Sequence, residues 1–243
     1  MIILETKNLI KQFGGVHAVD HCSVAIEKGS VTSIVGPNGS GKTTLVNTLS
    51  GMLPIDGGCV IIGGTNFERI NPCDIYAYGL TRTFQEVRLF NHMTVLDNIL
   101  LMYTERNVFG ALFEKHREYY VRSAETMLTC VGLWEKRAHV AVNLSYGQRK
   151  LLEIARALAT NAEIFLFDEP FAGLFPEMVK IVVSIIQELK RAGKTVVLIE
   201  HNMDLIRELS DHVIVMDSGK LLAEGKPDVV LRQRNVIEAY LGE

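Results

Sequence analysis

The sequence predicts an α/β protein with a parallel central sheet, and three observations support that prediction. Apolar runs of strand length recur at 31–35, 164–167, 195–199 and 212–216. Between the second and third runs, a set of apolar residues shares one helical face at i, i+3, i+4 and i+7 spacing: Met178, Ile181, Val182, Ile185, Ile186 and Leu189. Strands that alternate with such helices are typical of a parallel sheet with helical connections.

The N-terminal region favours further β structure. Residues 2–9, 24–27 and 60–62 read as short strands, separated by turn sequences such as Gly14-Gly15. The middle of the chain is different, because its apolar spacing is mostly helical.

These patterns predict one domain over 1–243. An α/β core would be formed by 1–85 and 159–243, with a helical subdomain inserted at 86–158. Within this insert, residues 105–120 mix aromatic and charged side chains, which is typical of a helical or partly ordered surface segment.

Composition excludes several classes of protein. The net charge of −3 provides no basic field for nucleic acid. A membrane span needs about 20 apolar residues, whereas the longest apolar runs here have strand length, so we predict no span. Residues 1–5 lack the basic start and apolar run of a signal peptide. The four cysteines show no C-x-x-C spacing, which favours buried thiols in a reducing compartment over metal binding or disulfides.

A glycine-rich motif follows the strand at 31–35 and precedes a helix predicted from Lys42 to about Ser50. It matches G-x-x-x-x-G-K-[ST], whose backbone N–H groups cradle phosphates at a helix N-terminus. Lys42 would reach the β- and γ-phosphates, and the Thr43 hydroxyl would reach Mg²⁺. The predicted nucleotide-binding residues of this phosphate loop are Gly36, Pro37, Asn38, Gly39, Ser40, Gly41, Lys42, Thr43 and Thr44.

A second Gly-Lys-Thr sequence occurs at 193–195. It has Glu188 where the first glycine of the motif should stand, and a strand follows it instead of a helix. We interpret it as an ordinary loop between a helix and a strand.

Two carboxylates end the apolar strand 164–167, and a histidine follows the next strand. Asp168 would orient Mg²⁺, and Glu169 is placed to act as general base on the attacking water. His201 comes directly after the strand 195–199 and Glu200, so it is a candidate sensor of the γ-phosphate. A lone histidine at a strand end is more often structural, but this sheet already carries a phosphate loop.

The pentad Leu144-Ser145-Tyr146-Gly147-Gln148 precedes an amphipathic helix. With the phosphate loop, Gln85, the acidic pair and His201 in this order, the chain resembles the nucleotide-binding domain of ATP-binding cassette (ABC) ATPases over essentially its whole length. The resemblance implies a P-loop NTPase (RecA-like) core, an N-terminal antiparallel β subdomain and an inserted α-helical subdomain. It also implies an ATPase.

The resemblance further implies roles for single residues. Phe13 would stack on adenine, and Gln85 would reach Mg²⁺ and the attacking water. The implied catalytic residues are Glu169, His201 and Gln85, and the implied metal ligands are Thr43, Gln85 and Asp168. The pentad at 144–148 resembles the signature motif of the family, which binds the ATP held by a second subunit. The signature residues are Ser145, Tyr146, Gly147 and Gln148.

A finer resemblance, to the ATP-binding subunits of branched-chain amino-acid importers, rests on Tyr146 and on short segments at 82–85, 88–90, 93–95, 172–174 and 239–243. It implies a homo- or heterodimer on the cytoplasmic face of the inner membrane, permease subunits, an indirect periplasmic-type binding protein, and no nucleic acid. A lipopolysaccharide or lipid exporter and a soluble non-transport ABC ATPase are the alternatives.

Two positions depart from the usual ABC pattern. Tyr146 stands where many members of the family have glycine, and Phe175 stands where the D-loop usually carries Asp or Asn.

Val87, Leu89 and Phe90 form an apolar set that we expect to contact the permease, with burial inside the insert as the alternative for Leu89.

Overall fold

The computed structural model describes residues 1–103 and 117–241, which form two compact units. The first unit comprises 1–82, 163–169 and 186–243, and the second comprises 83–162 and 170–185. The predicted insert at 86–158 lies within the second unit, which also includes 170–185. Most of the segment 105–120 lies outside the described residues, as do Gly242 and Glu243.

The eleven described strands all belong to the first unit. They are β1 (Ile2–Phe13), β2 (Val16–Cys22), β3 (Ala25–Glu27), β4 (Val31–Val35), β5 (Gly57–Ile62), β6 (Thr65–Phe67), β7 (Leu80–Arg82), β8 (Ile164–Asp168), β9 (Thr195–Ile199), β10 (His212–Asp217) and β11 (Lys220–Gly225). One sheet is antiparallel, with the order β2-β1-β5-β6 and with β3 also paired to β1. The first strand continues to Phe13, beyond its predicted end at residue 9.

The second sheet has the order β11-β10-β4-β9-β8-β7. All of its strand pairs are parallel except β10 with β11. Every residue of β4, β8 and β9 is buried, as expected for central strands of a parallel sheet with both faces covered. The predicted α/β class is confirmed.

The described α-helices are α1 (Lys42–Leu49), α2 (Val95–Tyr103), α3 (Arg117–Cys130), α4 (Tyr146–Ala159), α5 (Pro176–Arg191), α6 (Met203–Leu209), α7 (Pro227–Val230) and α8 (Arg234–Leu241). In α5, Val182, Ile185 and Ile186 are buried, which confirms the predicted apolar face. Residues 193–194 form the loop between α5 and β9, as predicted for the second Gly-Lys-Thr sequence. Helices α2, α3 and α4 pack against one another in the second unit.

The cysteines agree with the prediction only in part. All four lie in the described residues and none forms a disulfide, but only Cys22 is buried, whereas Cys73 and Cys130 are exposed. The expectation of buried thiols was wrong for these two, because thiol burial depends on packing between segments that are distant along the chain. Among residues 1–103 and 117–241, no helix combines the length and the apolar composition needed to cross a lipid bilayer.

Candidate functional site

Three neighbouring strands end together at one edge of the parallel sheet of the first unit. In the registers of β4, β9 and β8, Ile199 pairs with Ile34 on one side and with Asp168 on the other. The glycine-rich loop, the acidic pair and His201 therefore follow adjacent strand ends. The carboxyl edge of a parallel sheet is where ligands of α/β proteins bind.

Lys42 lies at the start of α1, and its ammonium is held by the loop. Nζ donates to the carbonyl oxygens of Gly36 and Pro37 at 2.8 and 2.9 Å. Burial lowers the pKa of Lys42, and the charges of Glu169 and Asp168 oppose that shift. The structure therefore brings the loop lysine and the two predicted acids into one electrostatic environment.

Gly41 requires glycine for two reasons. Its φ of +98° lies in the left-handed region, and a Cβ at this position would collide with the carbonyl oxygen of Ala18 in β2. The β1–β2 hairpin thus packs directly on Gly41, the residue that precedes α1. Any side chain at position 41 would push this hairpin away from the loop.

Asp168 is buried and paired with an arginine that the sequence analysis did not single out. The guanidinium of Arg82, at the end of β7, donates to Asp168 Oδ2 at 2.8 Å. It also donates to Asn47 Oδ1 at 2.6 Å and Ser50 Oγ at 2.9 Å, near the end of α1. This charge-assisted network fixes the orientation of the carboxylate relative to the helix that follows the phosphate loop.

Glu169 and His201 are in contact. Nε2 of His201 lies 3.2 Å from Glu169 Oε1, within hydrogen-bonding range. Glu169 has a φ of +49°, a left-handed conformation that is uncommon for a residue with a side chain and is concentrated at functional sites. Glu200, which is buried, accepts the backbone N–H of His201 at 3.0 Å and so fixes the start of this segment.

The oxygen donors near the loop suit Mg²⁺. Thr43 is exposed at the start of α1, and Asp168 is the last residue of β8 at the same strand edge. No group of three or more His, Cys, Asp or Glu residues that could hold a metal occurs among the described residues. That is compatible with Mg²⁺, which is usually bound through one or two protein oxygens together with substrate phosphates.

Phe13 is at the tip of the β1–β2 hairpin. It pairs with Val16 across the Gly14-Gly15 turn and is 48% exposed, so it is not a core residue. The ammonium of Lys11 lies 5.3 Å from the ring centroid, and the Lys11–Asp56 ion pair (2.9 Å) holds that lysine in place. An exposed ring on the hairpin that packs against Gly41 is suited to stack on a nucleotide base.

Replacing Phe13 with alanine should therefore raise the Kd for ATP by roughly 5- to 150-fold, because base–aromatic stacking contributes about 1–3 kcal/mol. Equilibrium titration of the purified chain measures this effect. Inorganic tripolyphosphate serves as the control ligand, since it has no base, and Phe13→Tyr serves as the control variant. An equal loss for tripolyphosphate would show that Phe13 supports the loop and does not stack on adenine.

The signature pentad caps α4 in the second unit. The Ser145 hydroxyl accepts the N–H of Gln148 at 3.4 Å, and the Gln148 side-chain oxygen accepts the N–H of Ser145 at 3.2 Å. This is a capping box, which the S-x-x-Q spacing could have predicted. Ser145 and Tyr146 are exposed, whereas Gly147 is buried, so the positive end of the α4 dipole is accessible.

The Tyr146 ring lies against Gly173, in the segment 172–175 that fills the D-loop position. A Cβ at Gly173 would lie 2.8 Å from Cε1 of the Tyr146 ring, and Gly173 has a φ of +72°. The glycine leaves room for the ring that replaces the usual glycine of the signature. Phe175 is 69% exposed, and its carbonyl accepts the N–H groups of Met178 and Val179 at the start of α5.

Gln85 is also in the second unit, in the segment between β7 and α2, and it is exposed. Of the predicted docking patch, Phe90 is 48% exposed, whereas Val87 and Leu89 are half-buried. The burial proposed as the alternative for Leu89 is thus only partial. The roles of Gln85, of the signature residues and of this patch stay predictions.

Tyr240 lies in α8, within the C-terminal segment 239–243 that resembles the importer subunits. Its ring packs against an apolar cluster that includes Val35, the residue before Gly36. Burial raises the pKa of its hydroxyl to about 12, and the backbone of Gly36 opposes part of that rise. The end of the described chain therefore supports the strand that carries the phosphate loop.

Two protein families match the chain. The ABC transporter family matches residues 19–172, which include the phosphate loop, Gln85, the signature pentad and the acidic pair. The family described as branched-chain amino acid ATP-binding cassette transporter matches residues 220–243.

Several curated proteins are similar to the chain over nearly its full length. The probable branched-chain amino acid transport ATP-binding protein LivG of Archaeoglobus fulgidus is 38% identical over 250 residues, which span 100% of this chain and 96% of that protein. The high-affinity branched-chain amino acid transport ATP-binding protein LivG of Escherichia coli is 37% identical over 250 residues, which span 99% and 98%.

Solved structures show the same fold. A nucleotide-free ATP-binding cassette from an ABC transporter has a TM-score of 0.86 at 38% identity, with 100% of both chains covered. A dimeric cassette in a post-hydrolysis state, bound to ADP and Pi, has a TM-score of 0.82 at 26% identity, with 93% of this chain and 99% of that chain covered.

Proposed function

The chain belongs to the ABC transporter family, and on that premise we propose that it is the ATP-hydrolysing subunit of a branched-chain amino-acid importer. Membership of this family confirms the resemblance drawn from the motifs. The observation that carries the proposal is the convergence of Lys42, Asp168, Glu169 and His201 at one edge of the parallel sheet. The importer assignment is supported by full-length relatives named for branched-chain amino-acid transport.

Phosphate binding follows from the loop and α1. The backbone N–H groups of residues 39–43 and the positive end of α1 would surround the β- and γ-phosphates. Lys42 would exchange its contacts with loop carbonyls for the phosphate oxygens, because its ammonium is already at the loop. Phe13 would hold the adenine.

Hydrolysis requires a base beside the attacking water. Glu169 is suited to this role because its carboxylate directly follows the buried strand that ends at Asp168. His201, 3.2 Å away, would orient this carboxylate and contact the γ-phosphate. The Arg82 network keeps the neighbouring Asp168 in a fixed orientation.

Thr43 and Asp168 of the first unit offer oxygen atoms that would hold Mg²⁺, and the role expected for Gln85 of the second unit stays a prediction. When bound, this ion neutralises charge on the phosphates. Asp168 brings the required negative charge, and its packing against Arg82 prevents it from turning away.

A second copy of a cassette would complete each site. Ser145 and the first turn of α4 form an accessible helix N-terminus, which suits the phosphates of ATP held by a partner. A related cassette, 26% identical, is dimeric with ADP and Pi bound. ATP would then join two subunits, and hydrolysis would loosen them, so that permease subunits on the membrane change conformation.

Uptake measurements test the importer assignment. Deleting the gene in its own host should lower uptake of radiolabelled leucine, isoleucine and valine, and leave lysine uptake at its original rate. Wild-type protein should restore uptake, whereas Lys42→Ala should not, because it removes the main phosphate contact. Unchanged leucine uptake together with accumulation of lipopolysaccharide in the inner membrane would support the exporter alternative instead.

A further inference from the structure

In the second unit, the backbone of the segment that contains Gln85 is hydrogen-bonded by side chains of a neighbouring helix. Residues 84–90 are neither helix nor strand, so their backbone groups must find other partners. Two of these partners are side chains of α4, the helix that begins with the signature pentad. They are Glu153 and Arg156, which are one helical turn apart.

Glu153 binds both sides of the segment 84–90, here called the Gln85 loop. Its Oε1 accepts the backbone N–H of Phe84 at 3.4 Å and that of Arg88 at 3.2 Å. The side chain is 5% exposed. One carboxylate oxygen thus accepts hydrogen bonds from the residue before Gln85 and from a residue three positions after it.

Arg156 holds the next part of the same segment. Its Nη1 donates to the carbonyl oxygen of Arg88 at 2.6 Å, and its guanidinium lies 5.1 Å from the centroid of the Phe90 ring. The Arg88 guanidinium in turn stacks on Phe84 at 4.0 Å. Both backbone groups of Arg88 are therefore engaged by α4.

Glu153 places an ionisable carboxyl group at a buried position that an apolar side chain could occupy. Burial raises the pKa of Glu153, and the N–H groups of Arg88 and Phe84 and the charges of Lys150 and Arg156 oppose that rise. A buried carboxylate is unfavourable unless it is hydrogen-bonded, so a conformation that supplies its donors is favoured over one that does not. Here the conformation that supplies them is that of the Gln85 loop.

We propose that Glu153 and Arg156 are positioning residues that hold Gln85 in register with the signature helix. Ser145 caps α4, and Glu153 lies eight residues later, about 12 Å along the helix axis. A shift of α4 when Ser145 engages nucleotide would therefore be passed to the Gln85 loop through Glu153 and Arg156. This inference rests on the proposed function, because it needs Gln85 to act on the attacking water.

The experiment distinguishes an effect on the position of Gln85, which changes kcat, from an effect on ATP binding, which changes Kd. In the purified full-length protein, Glu153→Leu should lower kcat for ATP at least about 10-fold, because a 1 Å misplacement can cost about 100-fold. The Kd for ATP should stay within about twofold, since Phe13 and Lys42 are unchanged. The concentration of Mg²⁺ needed for half-maximal activity should rise. Glu153→Gln retains an acceptor oxygen and should recover most of kcat.

Glu125→Leu is the matched control, because it makes the same change at an exposed position of α3 in the same unit. If Glu153→Leu fails to fold, Arg156→Met removes the other anchor and should show the same loss of kcat at unchanged Kd. Wild-type kcat in Glu153→Leu, or equal losses in Glu153→Leu and Glu153→Gln, would overturn the proposal. An inactive wild-type protein would refute the proposed function itself.

Discussion

Replacing Glu169 with glutamine is expected to lower the steady-state ATPase rate by about 10²–10⁴-fold, the usual contribution of a general base. Glutamine nearly preserves the shape of glutamate and can still bond to His201, which lies 3.2 Å from the carboxylate. A neutral amide cannot take the proton of the attacking water. The variant therefore removes proton transfer while it keeps the packing around the site.

ATP binding should survive in Glu169→Gln, because Lys42 and the loop are unchanged. Slow hydrolysis should then allow an ATP-bound dimer to accumulate, which size-exclusion chromatography with light scattering detects. The matched control is Glu163→Gln, at the opposite end of β8, where an exposed ion pair with Lys194 contributes little. An active Glu169→Gln variant would assign the base to another residue.

Replacing Ser145 with aspartate should abolish ATP-dependent dimerisation and lower the ATPase rate by roughly 10³-fold, whereas Ser145→Asn should remain within a few fold of wild type. Both replacements are good helix N-caps, so α4 keeps its first turn in each. Only aspartate adds a negative charge where the partner's triphosphate would arrive. Two like charges about 4 Å apart at an effective dielectric constant of 20 repel by about 4 kcal/mol.

The Ser145 pair is best measured in two assays. Turnover is measured in the otherwise wild-type protein, and dimer formation in the Glu169→Gln background, where hydrolysis is slow. Affinity of the single chain for ATP should be the same in both variants. A large loss of that affinity in Ser145→Asp would refute the cross-subunit role. Equal turnover in the two variants would show that Ser145 acts only as the N-cap of α4.

The parts that sequence could predict are those encoded by short-range patterns. The phosphate loop needs glycines at fixed spacing, since positive φ at Gly41 excludes other residues and α1 must follow at once. The apolar face of α5 is a periodic signal, and it is buried as predicted. Asp168 and Glu169 stood out because a buried strand of five residues ends there.

Other features escaped the sequence analysis because their partners are distant along the chain. Arg82 and Asp168 are 86 positions apart, and Glu153 and Phe84 are 69 apart. No local pattern indicates such pairs, since they depend on which strands and helices become neighbours. The exposure of Cys73 has the same origin, because thiol burial depends on the surrounding packing.

By itself, then, the sequence determined the family, the α/β class and the residue types of the candidate ATP site, because local backbone requirements and strand ends restrict them. Only the tertiary structure decided how those residues are held. It placed Arg82 on Asp168, exposed Phe13 on a hairpin that packs against Gly41, and set Gly173 against Tyr146. These arrangements arise from side-chain packing between segments that meet only when the chain is folded.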